Sequence, residues 1–393
     1  MRSRIHGGAE RQMALLSERI SKAEGRVTII DSTNGVMREL TKHNPAVEVV
    51  TPEKKLVIEN SLVITQMSYA FCINDFLTMR GCEVRLWSMS SLPLPHMYLT
   101  SRLGILGGLF LKPLRRRYAE GLTNIRKSLF FQSLDSSNSI SGFYNIELKS
   151  EPTLTLTDAK DYRNHESEEK ERKSDVVWIG RLDTSSRIFA VSKLVIDFAE
   201  ARGGSHEGEL IIIGDGGALS QLKRLVVTLN MTRRVRFLGQ VKLDELDRIV
   251  AGSEMLIAQG TSVYVGIKNK VPVLIVDFFF ERSLSNHMRY RFFAETDDST
   301  LGYAVTKKAD LALVTGRSFD DVILSLKDEE FRKKVIADQY CKLKKIMKNE
   351  GQKIERLYRK PINPNDHLIP SFFLDKVFFR LRDIIIRSSK RQY

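Results

Sequence analysis

Two kinds of apolar pattern alternate along this chain. Short runs of apolar, often β-branched residues are separated by longer stretches in which apolar positions recur every three or four residues. Gln12–Lys22 sets Met13, Leu15, Leu16 and Ile20 on a helical face, and Arg26–Asp31 follows as a β-branched run. Val57–Thr65 contains another such run, Tyr69–Arg80 reads as a helix and Glu83–Trp87 as a strand. Helix then strand, repeated, predicts parallel crossover units.

Residues 154–174 interrupt this alternation. His165–Ser174 is wholly polar with charges of both signs, the pattern of a solvated linker. Beyond it, strands are predicted at Val176–Ile179, Glu209–Ile213, Val235–Leu238, Met255–Ala258 and Val273–Val276. Helices are predicted between them, as at Ile188–Ala201 and Ala218–Leu229. Such short, fully apolar strands imply a sheet covered on both faces, as in a doubly wound α/β domain. From Phe319 the pattern turns helical and charged. Arg332–Asn349 is Lys-rich, Pro361–Pro370 breaks the pattern, and Ser371–Ser388 reads as a basic amphipathic helix. The expected organisation is an N-terminal α/β domain over 1–153, a linker over 154–174, a second α/β domain over 175–345 and basic helices over 346–393.

Length agrees with two domains, since 393 residues exceed what one small core organises. Lys and Arg outnumber Asp and Glu by 62 to 48, a formal charge of +14. That excess attracts anions: nucleic acid, acidic headgroups or phosphorylated small molecules. Its placement argues against nucleic acid, because Arg115–Arg117 and Arg380–Arg391 flank apolar segments and no aromatic ladder accompanies them. Residues 103–117 and 371–391 pair apolar positions with basic ones, which suits an anionic membrane surface; packing against the first domain is the other reading of the tail. Leu103–Leu111 is about half the length of a membrane span, and no signal-peptide pattern opens the chain, so a cytoplasmic protein is expected. Cys72, Cys82 and Cys341 fit neither a metal pattern nor a disulfide framework and read as reduced packing residues.

Three strand-to-turn segments carry the candidate chemistry. The first is Gly180-Arg181-Leu182-Asp183, followed by Arg187. The second is Gly214-Asp215-Gly216-Gly217, and the third is Gly260-Thr261-Ser262. Ligands of open α/β sheets sit at the carboxyl ends of strands, where glycines allow close backbone approach and helix starts offer free N–H groups. Arg181 adds a planar cation suited to diphosphate oxygens. Thr261 and Ser262 either donate to phosphate or cap the following helix. Fixed donors of this kind stabilise the charge that grows on a departing diphosphate.

The order of these segments resembles the donor-binding domain of GT-B glycosyltransferases, the retaining family 4 type in particular. The likeness rests on Gly180-Arg181-Leu182, Gly214-Asp215-Gly216, Val235-Arg236-Phe237-Leu238-Gly239, and Gly260-Thr261-Ser262 leading to Pro272. Gly7-Gly8-Ala9-Glu10 resembles the family's first glycine loop, although Met1–His6 is short and basic for the strand that precedes it there. The resemblance implies two Rossmann-like domains facing a cleft, and sugar transfer from a nucleotide-diphosphate donor to a glycan or lipid-linked acceptor. It further implies retention of configuration without a metal or other cofactor. It assigns Glu10, Arg181 and Arg187 to catalysis. To donor binding it assigns Gly7, Gly8, Gly180, Gly214, Asp215, Gly216, Gly260, Thr261 and Ser262. Where the family carries a phosphate-binding Lys, Ser186 stands and Arg187 follows; where it presents a ribose-binding Glu, Val265 stands. A binding protein of the same fold, without turnover, is the alternative reading.

Overall fold

The computed structural model describes residues 8–24, 26–51, 55–69, 73–89, 112–124, 128–148, 153–157, 173–183, 186–201, 208–296 and 301–359. The described residues group into two compact units, one of residues up to 157 together with 346–359, the other of residues 173–345.

The first unit opens with helix α1 (Gly8–Glu24). Gln12, buried in it, donates from Nε2 to the Leu156 carbonyl at 2.7 Å and accepts from the Leu156 N–H at 2.7 Å. Strands β1 (Val27–Ile30) and β2 (Val47–Val50) pair in parallel, as do β3 (Leu56–Glu59) and β5 (Leu77–Arg80). A third parallel group takes β4 (Leu62–Gln66), β6 (Glu83–Ser88) and β7 (Leu129–Phe131), with helices α2 (Lys112–Asn124) and α3 (Leu134–Tyr144) around β7 in the chain. Trp87 is fully buried in this unit and stacks on Phe130 with ring centroids 5.1 Å apart.

Three expectations change here. Val57–Thr65 holds parts of two strands, because Asn60 takes a left-handed turn (φ 46°) between β3 and β4. Of the helix expected over Tyr69–Arg80, the described residues include helix at Ile73–Phe76, while Leu77–Arg80 is strand β5, where pairing with β3 outweighs local preference. Residues 154–157, expected to open the linker, pack within the first unit instead. Thr153 bridges Phe131, Leu154 N donates to the Phe131 carbonyl at 2.7 Å, and Leu154 and Leu156 are buried beside Trp87.

The second unit is built on a six-stranded sheet. Its strands are β8 (Val176–Ile179), β9 (Leu210–Ile213), β10 (Val235–Gly239), β11 (Met255–Ala258), β12 (Val273–Ile275) and β14 (Arg291–Phe292). Between β12 and β14 lies the short β13 (Phe278–Phe279), which pairs with β15 (Ala304–Val305). The spatial order is β10-β9-β8-β11-β12-β14, parallel throughout except for the antiparallel edge strand β14. Chain order thus runs one way from β8 to β10 and restarts on the other side of β8 with β11. That reversal is a topological switch point, where ligands of such sheets bind.

Helices α4 (Arg187–Glu200), α5 (Leu219–Thr228), α6 (Leu243–Ala251) and α7 (Val263–Lys268) make the crossovers. Helix α4 buries Ile188, Val191, Leu194, Val195 and Phe198, a stripe at helical spacing, each burial stabilising by about 1.5–3 kcal/mol. Gly266 lets α7 lie close to the sheet: a Cβ there would come within 2.5 Å of the Val273 side chain. Helices α8 (Phe319–Leu326) and α9 (Glu329–Lys348) follow. Ser318 caps α8 with a reciprocal Ser318–Asp321 box. Gln339 ties α9 to the sheet edge, donating to the Val271 carbonyl at 2.8 Å and accepting from Val273 N at 3.2 Å. Helix α10 (Glu350–Arg359) belongs to the first unit: Arg85 Nε donates to the Leu357 carbonyl at 3.2 Å, and Arg19 pairs with Glu350 at 3.2 Å. Among the described residues, no helix is long and apolar enough to cross a membrane.

Tyr290, just before β14, is buried among Phe198 and Phe319, and its hydroxyl donates to Asp197 Oδ2 at 2.7 Å. Burial first, and the Asp197 carboxylate second, push its phenol well above the ordinary value near 10. The unfolded chain ionises at that ordinary value, so the Tyr290 contribution is whole below it and declines as pH rises, by up to about 1.4 kcal/mol per pH unit. Urea unfolding between about pH 8 and 11 is expected to show a shallower alkaline decline for Tyr290→Phe than for wild type. Equal slopes would remove Tyr290 as the cause.

Candidate functional site

The turns after β8, β9, β10 and β11 all lie at the carboxyl edge of the second unit's sheet, and the first three are stitched to one another by backbone hydrogen bonds. Gly180 N donates to Ile213 O at 3.1 Å, Leu182 N to Asp215 O at 3.0 Å, Ala218 N to Leu182 O at 2.9 Å, and Gly214 N to Gly239 O at 2.8 Å. This packing explains two glycines. Gly214 has φ 137° and Gly216 has φ 155°; a Cβ at either would overlap a carbonyl oxygen, that of Gly180 or of Leu182. Both positions are therefore required by approach of backbone to backbone. Asp215 is exposed, and its Oδ1 accepts from Gly216 N at 2.7 Å.

The switch point falls between the turn after β8 and the turn after β11, whose strands are in register at Ile179↔Ala258. On one side stand Gly180 and the exposed Arg181, with Leu182 anchoring the turn in the core. On the other, Gly260-Thr261-Ser262 forms a turn of 3-10 helix leading into α7. Gly260 has φ 64° with open space around its Cβ position, and its N–H is taken by the Leu301 carbonyl at 2.9 Å. Thr261 and Ser262 are half-buried, and the Ser262 side chain makes no cap to α7. Val265, on α7, is likewise half-buried.

Arg187 opens α4 but is engaged by its own chain. Its Nη1 donates to Asp183 Oδ2 at 2.6 Å, and its Cζ lies 5.5 Å from the centroid of the Phe278 ring. Ser186, where a phosphate-binding Lys is expected, is buried at the helix start, and its N–H donates to Asp183 Oδ1 at 3.2 Å.

Beneath the Gly260 turn lies a buried polar cluster that sequence reasoning did not foresee. Asp277, fully buried after β12, accepts from Arg291 Nη2 and, at 2.8 Å, from Tyr303 N. Burial raises the Asp277 carboxyl above its ordinary value, opposed by the Arg291 charge and these hydrogen bonds. Gln259 Nε2 donates to the Asp277 carbonyl at 2.6 Å, and Arg291 lies over the Tyr303 ring at 4.9 Å. Gln259 Oε1, Asp277 Oδ2 and Arg291 Nε have no hydrogen-bond partner among the described residues. The cluster binds the ends of β11 and β12 to the 301–303 segment, and so fixes the Gly260 turn from below. No periodicity marks it, because its four members join only through the fold.

Gly8 and Glu10 lie in the first unit. Gly7 is outside the described residues. Gly8 is the first residue of α1, so the described part of the expected glycine loop is helix, and Glu10 sits half-buried in its first turn. Of the basic segments, 103–111 and 371–391 are outside the described residues. In α2, Arg115 is half-buried with its Cζ 5.1 Å from the Phe143 ring centroid, and Arg116 pairs with Glu120 at 3.3 Å. Cys82 is buried and Cys341 exposed, both free thiols, while Cys72 is outside the described residues.

No protein-family model matches this chain, and no curated protein matches it in sequence. Solved structures match it in shape. A glycosyltransferase from Rickettsia africae has a TM-score of 0.57 at 11% identity, covering 90% of this chain and 96% of its own. Anabaena HepE, solved with UDP and glucose, has a TM-score of 0.56 at 13% identity, covering 91% and 97%. Sucrose-phosphate synthase from Thermosynechococcus elongatus has a TM-score of 0.56 at 13% identity, covering 90% and 93%. The chain therefore has the GT-B fold of these proteins, built of two Rossmann-like α/β domains.

Proposed function

We propose that this chain is a glycosyltransferase taking a nucleotide-diphosphate sugar as donor. The observation that carries the reading is the switch point, flanked by Arg181 on one side and Gly260-Thr261-Ser262 on the other. HepE, similar in fold, has been solved with UDP and glucose and with UDP-glucose, which makes a uridine nucleotide the first donor to test. In this reading Arg181 meets the diphosphate, Thr261 and Ser262 meet phosphate or sugar hydroxyls, and Gly260 leaves room for them. Charge on the leaving diphosphate is neutralised by arginine and backbone N–H groups without a metal, and configuration is retained. Gly8, in the other unit, is assigned to donor binding, and Glu10 to catalysis near the acceptor or sugar. The acceptor is a glycan or lipid-linked sugar of surface polysaccharide synthesis at the cytoplasmic membrane face, with 103–117 and 371–391 as the membrane-contacting segments.

Calorimetry with UDP, GDP and ADP tests the donor site directly. Binding of one of them is expected, and Arg181→Ala should weaken it by about ten- to a hundredfold, the worth of a charged hydrogen bond. Failure of all three to bind would sink the reading. Binding without transfer of sugar to any acceptor in a membrane extract would leave a binding protein of the same fold.

A further inference from the structure

We propose that Asp183 is an affinity-determining residue of this site: its carboxylate is an internal anion that competes with diphosphate for Arg187. The inference rests on the donor reading for its ligand, but its physical basis is local. Asp183 Oδ2 accepts from Arg187 Nη1 at 2.6 Å, while Oδ1 accepts from Ser186 N at 3.2 Å and from Arg187 N at 3.5 Å. One carboxylate thus takes up the side-chain cation and two backbone donors that a phosphate arriving at this turn would use. The Phe278 ring pins the guanidinium further, 5.5 Å from its Cζ.

The pair is sheltered, with side chains 21% and 31% exposed. Two like charges about 4 Å apart near a protein surface repel by about 4 kcal/mol before further screening, so a phosphate and this carboxylate do not share Arg187 without penalty. The rival idea is that Asp183 stays in place and merely aims Arg187 at the ligand. The two differ in sign: removing the charge strengthens anion binding if Asp183 competes, and weakens it if Asp183 aims.

Asp183→Asn removes the charge and keeps a side chain that caps helices well. Calorimetry with inorganic pyrophosphate on wild type, D183N and D183N/R187Q is the test. D183N is expected to bind pyrophosphate about tenfold more tightly, a fraction of the unscreened repulsion. The double variant should lose that gain, which separates this turn from the rest of a basic surface. Unchanged or weaker binding by D183N overturns the proposal, as does a gain that persists in the double variant. Should thermal unfolding show D183N poorly folded, Asp183→Ser, another capping residue, is held to the same criterion. UDP titrations in parallel keep the two readings apart. A pyrophosphate gain with no UDP binding by any variant retains the internal anion and removes the donor site. UDP binding with no pyrophosphate gain does the reverse.

Discussion

Arg291→Met is expected to destabilise the second unit by about 3–5 kcal/mol, the usual result of leaving a buried charge without its partner. Asp277 would then hold a fully buried carboxylate whose remaining contact is the Tyr303 N–H. The effect has a pH signature with a definite sign. Burial already raises the Asp277 carboxyl in the folded chain, and Arg291 is what opposes that rise. Without Arg291 the folded value climbs further above the unfolded one. The variant therefore keeps its stability in acid, below the unfolded value, and loses it as pH rises through the folded value. Urea unfolding followed by circular dichroism should show a deficit larger at neutral pH than near pH 4. Replacing both partners, Asp277→Leu with Arg291→Met, should recover most of the loss, since an apolar pair of similar size commonly matches a buried ion pair. A single variant within about 1 kcal/mol of wild type would mean that the pair contributes no more than a surface one.

Gly214→Ala is the second large effect. Its φ of 137° is rarely adopted by L residues, and its Cβ would overlap the Gly180 carbonyl, which β8 and β9 hold in place. The first factor alone costs about 1–3 kcal/mol. With the overlap, a loss of at least about 3 kcal/mol is expected, together with loss of nucleotide binding as the turns after β8 and β9 part. Gly260→Ala is the internal control. It also sits at positive φ, 64°, but its Cβ would enter open space. About 1 kcal/mol is expected there, the left-handed backbone cost without a clash. Comparable losses at the two positions would refute the backbone-approach account of Gly214.

The second unit was the more legible half in the sequence. Val176–Ile179 and Met255–Ala258 are strands over the predicted residues, because short runs buried on both faces leave little doubt about where pairing begins and ends. In the first unit the signals were local and the outcome was not. Leu77-Thr78-Met79-Arg80 became a strand only by pairing with residues 56–59. Leu154-Thr155-Leu156-Thr157 alternates with period two, a strand-like signal that the polar run after it masked. The glycine turns were visible as turns, but the reason for two of their glycines was not. That reason is a carbonyl more than thirty residues away in the chain, at Gly180 or Leu182. Arg187 was visible as a cation near the site. Its pairing with Asp183, one helical turn earlier, follows common i,i+4 spacing and was open to prediction.

The chain has two tryptophans, and both are fully buried, Trp87 in the first unit and Trp178 in the second. Each indole is a chromophore shut away from water, so both should emit toward the blue and shift red only when their own surroundings open. Trp178 has a second use. Its Nε1 would lie 3.4 Å from a Cβ placed on Gly180, directly under the turn that carries Arg181. With Trp87 changed to Phe, the remaining fluorescence becomes a single-site optical probe of that turn. With Trp178 changed instead, the signal reports the other unit alone, and the two halves can be followed as separate channels in one intact chain.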